Sequence, residues 1–451
     1  MRALWYMVVL GVAVYVSVWM ADHSGSVTLR WQGLRVDTSF AVLLAAVAAI
    51  AAAAALLYRM WIYLRRAPAR IGRLRTDGRR RRGYLALTRG MVAVAAGDGE
   101  EAGQQVKRAD VLLDDPPLTM LLAAQSAQLN GDERAAGKFF NAMLERPETE
   151  FLGLRGLFAQ AIKKDNRSEA LKLARRAHDL KPKSEWVATN LFDLQTHAGQ
   201  WSDAVATLDE SVKKRLVRAA DGRRRKAVLC YQLSLEAADR GESAESLKRL
   251  RKAHGEDPGF VPAASRLARL LAEAGKVRKA CGVIEKAWSN QPHPALLEPY
   301  WTASRAEDGM GKMVAAQRLE KINPDHVESH LAVAQAAVEA QLWGEARKHL
   351  EVAAGDDPTA RVCRLMAQLE EAEHGDHEGA RQWLLRASLA DPDPAWVCGH
   401  CGNASAEWSV LCGNCDSFAS FSWRTPPHVV SLAGQEAPKA LLPAIDEADT
   451  G

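Results

Sequence analysis

The stretch that decides the fold runs from residue 165 to residue 199, DNRSEALKLARRAHDLKPKSEWVATNLFDLQTHAG. It opens on a polar pair and places small side chains at Ala170 and, seven residues later, Ala177. It stops at Pro182 and closes on Gly199, 34 residues after it began. The phrase recurs on both sides. Turn positions fall at Gly97, Gly131, Gly199, Gly241, Gly275, Gly309 and Gly375, with Asp165 and Trp343 in two further slots. Every interval but two is 34 residues; Gly199 to Gly241 is 42 and Trp343 to Gly375 is 32. Ala102, Ala136, Ala204, Ser246, Ala280 and Ala380 repeat the place of Ala170, and Ala109, Ala253, Ala287 and Ala387 that of Ala177. Pro258, Pro292, Pro358 and Pro392 repeat that of Pro182.

A turn that needs positive φ selects glycine, and proline cannot continue a second helix. Small residues at helix crossings let the paired helices approach closely. A period of helix, tight turn, helix and proline stop is the signature of tetratricopeptide (TPR) repeats, which stack because one pair cannot bury its own apolar face. The expected class is all-α: a solenoid of about nine helix pairs over residues 84–394, with partners binding on its concave surface.

Composition agrees with a folded helical protein, at 48% hydrophobic, 25% charged and 6% aromatic. The net charge of +4 conceals an asymmetry. Residues 59–82 hold ten arginines against Asp77, so the rest of the chain is mildly acidic, which argues against nucleic acid as a partner. That block follows an apolar segment at 40–58, and another lies at 4–21; both are long enough to cross a bilayer. Arginines retained on the cytoplasmic side place both termini and the repeats inside. Residues 22–39 then lie outside, and the alternation around Gln32-Gly33 reads as a small β-hairpin. The organisation expected is a membrane hairpin with a basic segment (1–83), the repeats (84–394), a small module (395–425) and a flexible tail (426–451).

The small module carries the strongest local motif. Cys398-Gly-His-Cys401 and Cys412-Gly-Asn-Cys415 are two C-x₂-C knuckles. Four thiolates make a closed tetrahedral set, so the expectation is a structural zinc ribbon, with iron in a rubredoxin-like cage as the rival and two disulfides as a third option. Trp396, Trp408, Phe418, Phe421 and Trp423 supply apolar packing, and His400 is expected to be exposed and not to coordinate. Cys230, Cys281 and Cys363 stand singly in repeat helices and read as structural thiols.

A second basic cluster sits in the long interval. Its Arg223, Arg224, Arg225 and Lys226 are the candidate docking patch for an acidic partner, against the plainer reading of a solvated face. The eight extra residues there lengthen two helices or form a loop. The run from Gly97 to Gly103 misses the spacing of a phosphate loop. His326 and His330, four apart, read as an exposed pair without function. With no Walker loop, nucleophile elbow or paired catalytic carboxylates, an enzyme reading has no support.

The layout resembles the proteobacterial HemY family of membrane-anchored TPR proteins over residues 1–425. The carriers of the resemblance are the N-terminal hairpin with its Trp31-Gln32-Gly33 step and the end motif from Cys398 to Trp423-Arg424-Thr425-Pro426. It is distinct from the flavin-dependent oxidase of the same name, whose dinucleotide fingerprint is missing. The resemblance implies an inner-membrane protein linked to haem and porphyrin synthesis, holding pathway enzymes near the bilayer. Repeats joined to a four-cysteine knuckle are also similar to the lipopolysaccharide assembly protein B family. That similarity implies an adaptor presenting a substrate to a membrane protease, although the family typically has one span. A haem or porphyrin carrier, or an iron electron-transfer module, is the remaining alternative.

Overall fold

The computed structural model describes residues 7–8, 11–12, 14–16, 18–19, 25–31, 34–113 and 116–426. Half of the expected first span, 4–21, lies outside these residues, and what is described of it is helical. The expected tail lies outside them from residue 427 onward. The chain divides into two compact units, 1–149 and 150–451.

In the first unit, β1 (Ser26–Trp31) pairs antiparallel with β2 (Leu34–Ser39). Trp31 faces Leu34 at the turn and Ser26 faces Ser39 at the base, which is the expected hairpin. Helix α1 follows at once and runs unbroken from Phe40 to Ala96. Its stretch Phe40–Ile62 is 23 residues of mean hydropathy 2.7 with none of it buried. At ~1.5 Å per residue it is ~35 Å long, enough for the hydrocarbon core of a bilayer. The arginine block continues the same helix, and its last turns form the first repeat helix.

The turn that ends α1 shows how the repeats are punctuated. Gly97 takes φ 79°, the N–H groups of Gly97 and Asp98 bond back to Val94 and Ala93, and the Asp98 carboxylate accepts from the Glu101 N–H. A left-handed residue closes one helix and the next residue caps its partner. Gly131-Asp132 and Asp165-Asn166 do the same. Helix α2 (Gly99–Leu112) thus folds against α1, and α3 (Pro116–Leu129) pairs with α4 (Glu133–Met143).

Among the described residues, seven more pairs precede the C-terminal module in the second unit. They are α5 (Glu150–Lys163) with α6 (Arg167–Leu180), α7 (Glu185–His197) with α8 (Trp201–Lys213), and α9 (Ala219–Asp239) with α10 (Ser243–Glu256). Next come α11 (Val261–Glu273) with α12 (Val277–Asn290) and α13 (Leu297–Ser304) with α14 (Gly309–Ile322). The last are α15 (Val327–Glu339) with α16 (Trp343–Ala354) and α17 (Ala360–His374) with α18 (His377–Leu389). The alanines at 170, 204, 280 and 287 are buried at the crossings, as their spacing requires. Trp288 is wholly buried and its indole N–H donates to Ser329 Oγ at 3.0 Å, so a large core side chain keeps its polar atom satisfied.

Two turns differ from the sequence expectation. The left-handed residues are Arg305 (φ 57°) and Gln341 (φ 58°), where the period points to Gly309 and Trp343. Helix α13 has only eight residues, so its turn comes early. Gly309 instead opens α14 at a point where another backbone passes close by. The long interval also resolves differently: the extra residues go into one helix, α9, which is 21 residues long.

A Cβ on Gly309 would stand 2.7 Å from the Cα and N of Ala340, backbone that has no room to yield. Gly309→Ala is therefore expected to destabilise the protein by about 1–3 kcal/mol. Thermal unfolding of the two proteins, followed by circular dichroism, measures the difference.

Candidate metal centre

Strands β3 (Ala395–Cys398), β4 (Ala404–Ser405) and β5 (Phe421–Arg424) form a three-stranded antiparallel sheet with β3 in the middle. Each pair of cysteines brackets a tight turn at this sheet. The Gly402 N–H bonds to the Cys398 carbonyl at 3.0 Å, and the Asp416 N–H to the Cys412 carbonyl at 2.8 Å. Gly402 and Asp416 both have positive φ, which lets the chain double back and turn its sulfurs inward.

The four sulfurs of Cys398, Cys401, Cys412 and Cys415 lie within 4.8 Å of one another. Cys398 and Cys415 approach to 3.7 Å and Cys401 and Cys412 to 3.6 Å. Four thiolates at ~2.3 Å from one tetrahedral ion are ~3.8 Å apart, so the donor set fits a single metal. All seven cysteines are free thiols in the structure, and the closest sulfurs of the cluster stand 3.6 Å apart where a disulfide needs ~2.05 Å. Burial raises the Cys398 thiol, but the Ser420 hydroxyl and the Cys401 and His400 backbone N–H groups outweigh it and hold the pKa at about 6. For Cys415 the Ser417 N–H acts to lower the pKa. Burial and the hydrogen bonds to Cys401, Cys412 and Cys398 prevail and push it up to about 12. Crowded sulfurs thus compete for protons that a cation would displace. His400 is exposed and outside the cluster.

The aromatic residues do not close on themselves; they reach the repeats of the same unit. Trp408 meets Phe260 edge-on at 4.9 Å and Tyr231 at 5.8 Å, and Phe418 meets Phe192 at 5.3 Å. His293 stacks on Trp396 at 5.1 Å and tilts against Trp423 at 4.1 Å. Trp396 belongs to the same buried cluster as Val261, Trp288 and Tyr300. Asp416 pairs with Arg167 at 3.3 Å; the pair is exposed and orients more than it stabilises. The ribbon thereby covers first helices of the pairs from α7 to α11. A cleft of about 480 Å³ remains between them, walled by Tyr231, Arg266, Arg269, Trp396, Trp408 and Trp423.

The basic cluster is divided by these contacts. Lys226 is tied to Asp209 at 2.8 Å and Glu256 at 3.5 Å, linking α8, α9 and α10. Arg225 is exposed and lies over the Phe192 ring, 5.6 Å from its centre. Arg223 and Arg224 are exposed at the start of α9. The expected histidine pair also separates. His326 caps α15 by accepting the Glu328 N–H at 3.1 Å, while His330 turns to His349 on the next helix. Gly97 and Asp98, in the run compared with a phosphate loop, form the turn and cap described above.

Burial, and then the Arg361 guanidinium, lower the pKa of His293 to about 4. Its Nδ1 accepts the Ala295 N–H at 3.0 Å, so the ring is neutral. A base depressed in the folded state stabilises fully above its unfolded pKa of ~6.5 and loses that stabilisation as pH falls towards 4. Seating of the ribbon is expected to weaken by about 2 kcal/mol between about pH 7 and about pH 5. Tryptophan fluorescence during denaturant unfolding reads this, and His293→Gln is expected to flatten the dependence relative to the parent.

A family model described as "HemY protein N-terminus" matches residues 25–131. "Probable magnetosome protein Mms48" of Magnetospirillum gryphiswaldense is 28% identical over 98% of this chain and 96% of its own length. Among solved structures, the Naa15/Naa10 complex bound to HypK-THB aligns with 67% of this chain at 16% identity and TM-score 0.40; the aligned part is 46% of that chain. The yeast Sti1 TPR2AB domain aligns with 68% of this chain and 98% of its own, at 13% identity and TM-score 0.29. With the N-terminal family match, a relative of nearly equal length and stacked helix pairs, the chain fits a HemY-family TPR protein.

Proposed function

We propose that the protein is a non-catalytic scaffold that gathers protein partners at the cytoplasmic face of a bacterial inner membrane. The observation that carries this reading is α1, a single helix in which an apolar span continues into the first repeat helix. At ~1.5 Å per residue, some 33 Å of helix separate Ile62 from Tyr84, so the first repeats are presented at a set distance from the bilayer. Two spans with both termini inside follow from the arginine block.

The ribbon makes this reading more specific. Its own aromatic residues fill the first-helix face from α7 to α11, so partners dock elsewhere on the repeats or displace it. In the first unit, Phe139 and Lys107 line a groove with Val106 and Ala123, and Val111, Leu118 and Leu129 are exposed nearby. Arg223 and Arg224 offer a second, charged docking point. Zinc is the ion we assign to the four cysteines, as a structural support with no open coordination position. Enzymes of haem and porphyrin synthesis are the partners that the family name brings.

Photo-crosslinkers at Phe139, at Arg224 and at Trp408 in intact cells test this. Recovery of haem-pathway enzymes from Phe139 or Arg224, but not from Trp408, is the expected result. The near-full-length relative's name supplies the rival, magnetosome proteins in their place. Activity of a reporter fused after Gly451 only outside the cytoplasm contradicts the orientation and the reading with it.

A further inference from the structure

Glu320, His330 and His349 come from three successive helices, α14, α15 and α16, and their potential ligand atoms lie within 4.8 Å of one another. His330 Nδ1 is 3.0 Å from His349 Nδ1, and Glu320 Oε1 is 3.8 Å from the same His349 nitrogen. His349 is only 5% exposed. Its other nitrogen, Nε2, faces Glu345 Oε2 at 3.6 Å, one turn earlier on its own helix.

This arrangement has the chemistry of a ligand set. Glu345 Oε2 lies on the Nε2 side of His349, just beyond hydrogen-bond reach, and the tautomer with its proton on Nε2 leaves Nδ1 as a bare lone pair. A metal-bound histidine characteristically gives its second nitrogen to a carboxylate, and Glu345 is the carboxylate placed to close on Nε2. Burial, ahead of the charges nearby, lowers the pKa of His349 and so favours the neutral form, the one that ligates. Glu320 and Glu345 supply two negative charges beside two rings, with Lys348 the opposing cation.

We propose that Glu320, His330 and His349 form a second metal site, which takes one divalent transition ion of the zinc class through two Nδ1 atoms and a carboxylate. Ligands ~2.0–2.1 Å from a tetrahedral ion are ~3.3 Å apart, between the 3.0 and 3.8 Å found here. Imidazole and carboxylate make a harder set than the four thiolates, so the two sites are chemically distinct. The ion ties α14 to both helices of the next pair. Three protein ligands leave a fourth position for water. The competing account is a single proton shared between two imidazoles.

The test is metal content per chain in full-length, detergent-solubilised protein that carries no polyhistidine tag, after equilibration with zinc. His330→Ala and His349→Gln are each expected to lower the count by one ion with helical circular dichroism unchanged. Glu345→Gln is expected to weaken that ion by roughly 10–100-fold while leaving the ligands in place. Cobalt in this site is expected to absorb weakly, without the sulfur-to-metal band of the cysteine site, and to persist in Cys412→Ser. A zinc count and affinity identical in His330→Ala, in Glu320→Gln and in the parent overturn the proposal.

Discussion

A helix pair cannot bury both of its faces against its neighbours, and in residues 150–451 the chain resolves that constraint with its own C-terminus. The seating of Trp408 on Phe260 and Tyr231, Phe418 on Phe192, and Trp396 and Trp423 on His293 closes faces that a bare repeat array would leave to water. Aromatic contacts of this geometry contribute about 0.5–1.5 kcal/mol each beyond their buried area. The ribbon gains in return. A module of about thirty residues cannot bury enough apolar surface to fold unaided. The connector is fixed as well: the Arg361 N–H donates to Asp393 Oδ1 at 2.6 Å, and its guanidinium holds the buried Glu328 at 2.8 Å. Ribbon and repeats are therefore one packing problem.

Much of this was legible in the sequence, because the residues that mark it answer local demands. Left-handed turns select glycine, so Gly97, Gly131, Gly199, Gly241, Gly275 and Gly375 all read correctly. Cysteines two apart around a turn have few other uses. The period misled where a glycine serves a different purpose: Gly309 admits the Ala340 backbone, while Arg305 and Gln341 take positive φ at a cost their neighbours must offset. Residues 59–82 read as a basic segment without assigned structure, yet they continue a helix.

The docking of the ribbon was not legible, for a reason of chain geometry. Phe192, Tyr231, Phe260 and His293 sit on separate repeats and share no motif; only the superhelix brings them to one side. His330 and His349 are a milder case. They are 19 positions apart, and the local candidate, His326, is used as a helix cap. Charge runs were informative in bulk and not in detail. Lys226 belongs to an ion-pair cluster across three helices, whereas its neighbours Arg223 and Arg224 are exposed at the start of the helix.

A membrane helix that becomes a repeat helix, and a ribbon that becomes repeat core, leave little of this protein as independent parts. The central claim is that an ion bound by Cys398, Cys401, Cys412 and Cys415, as proposed above, would support the repeats through the aromatic contacts. Amide hydrogen exchange before and after removal of that ion by a chelator tests it most directly. The account predicts faster exchange in β3 and β5 together with α7, α9 and α11, and no change in residues 99–143. Loss of protection confined to residues 395–424, with α9 and α11 as protected as before, would contradict it.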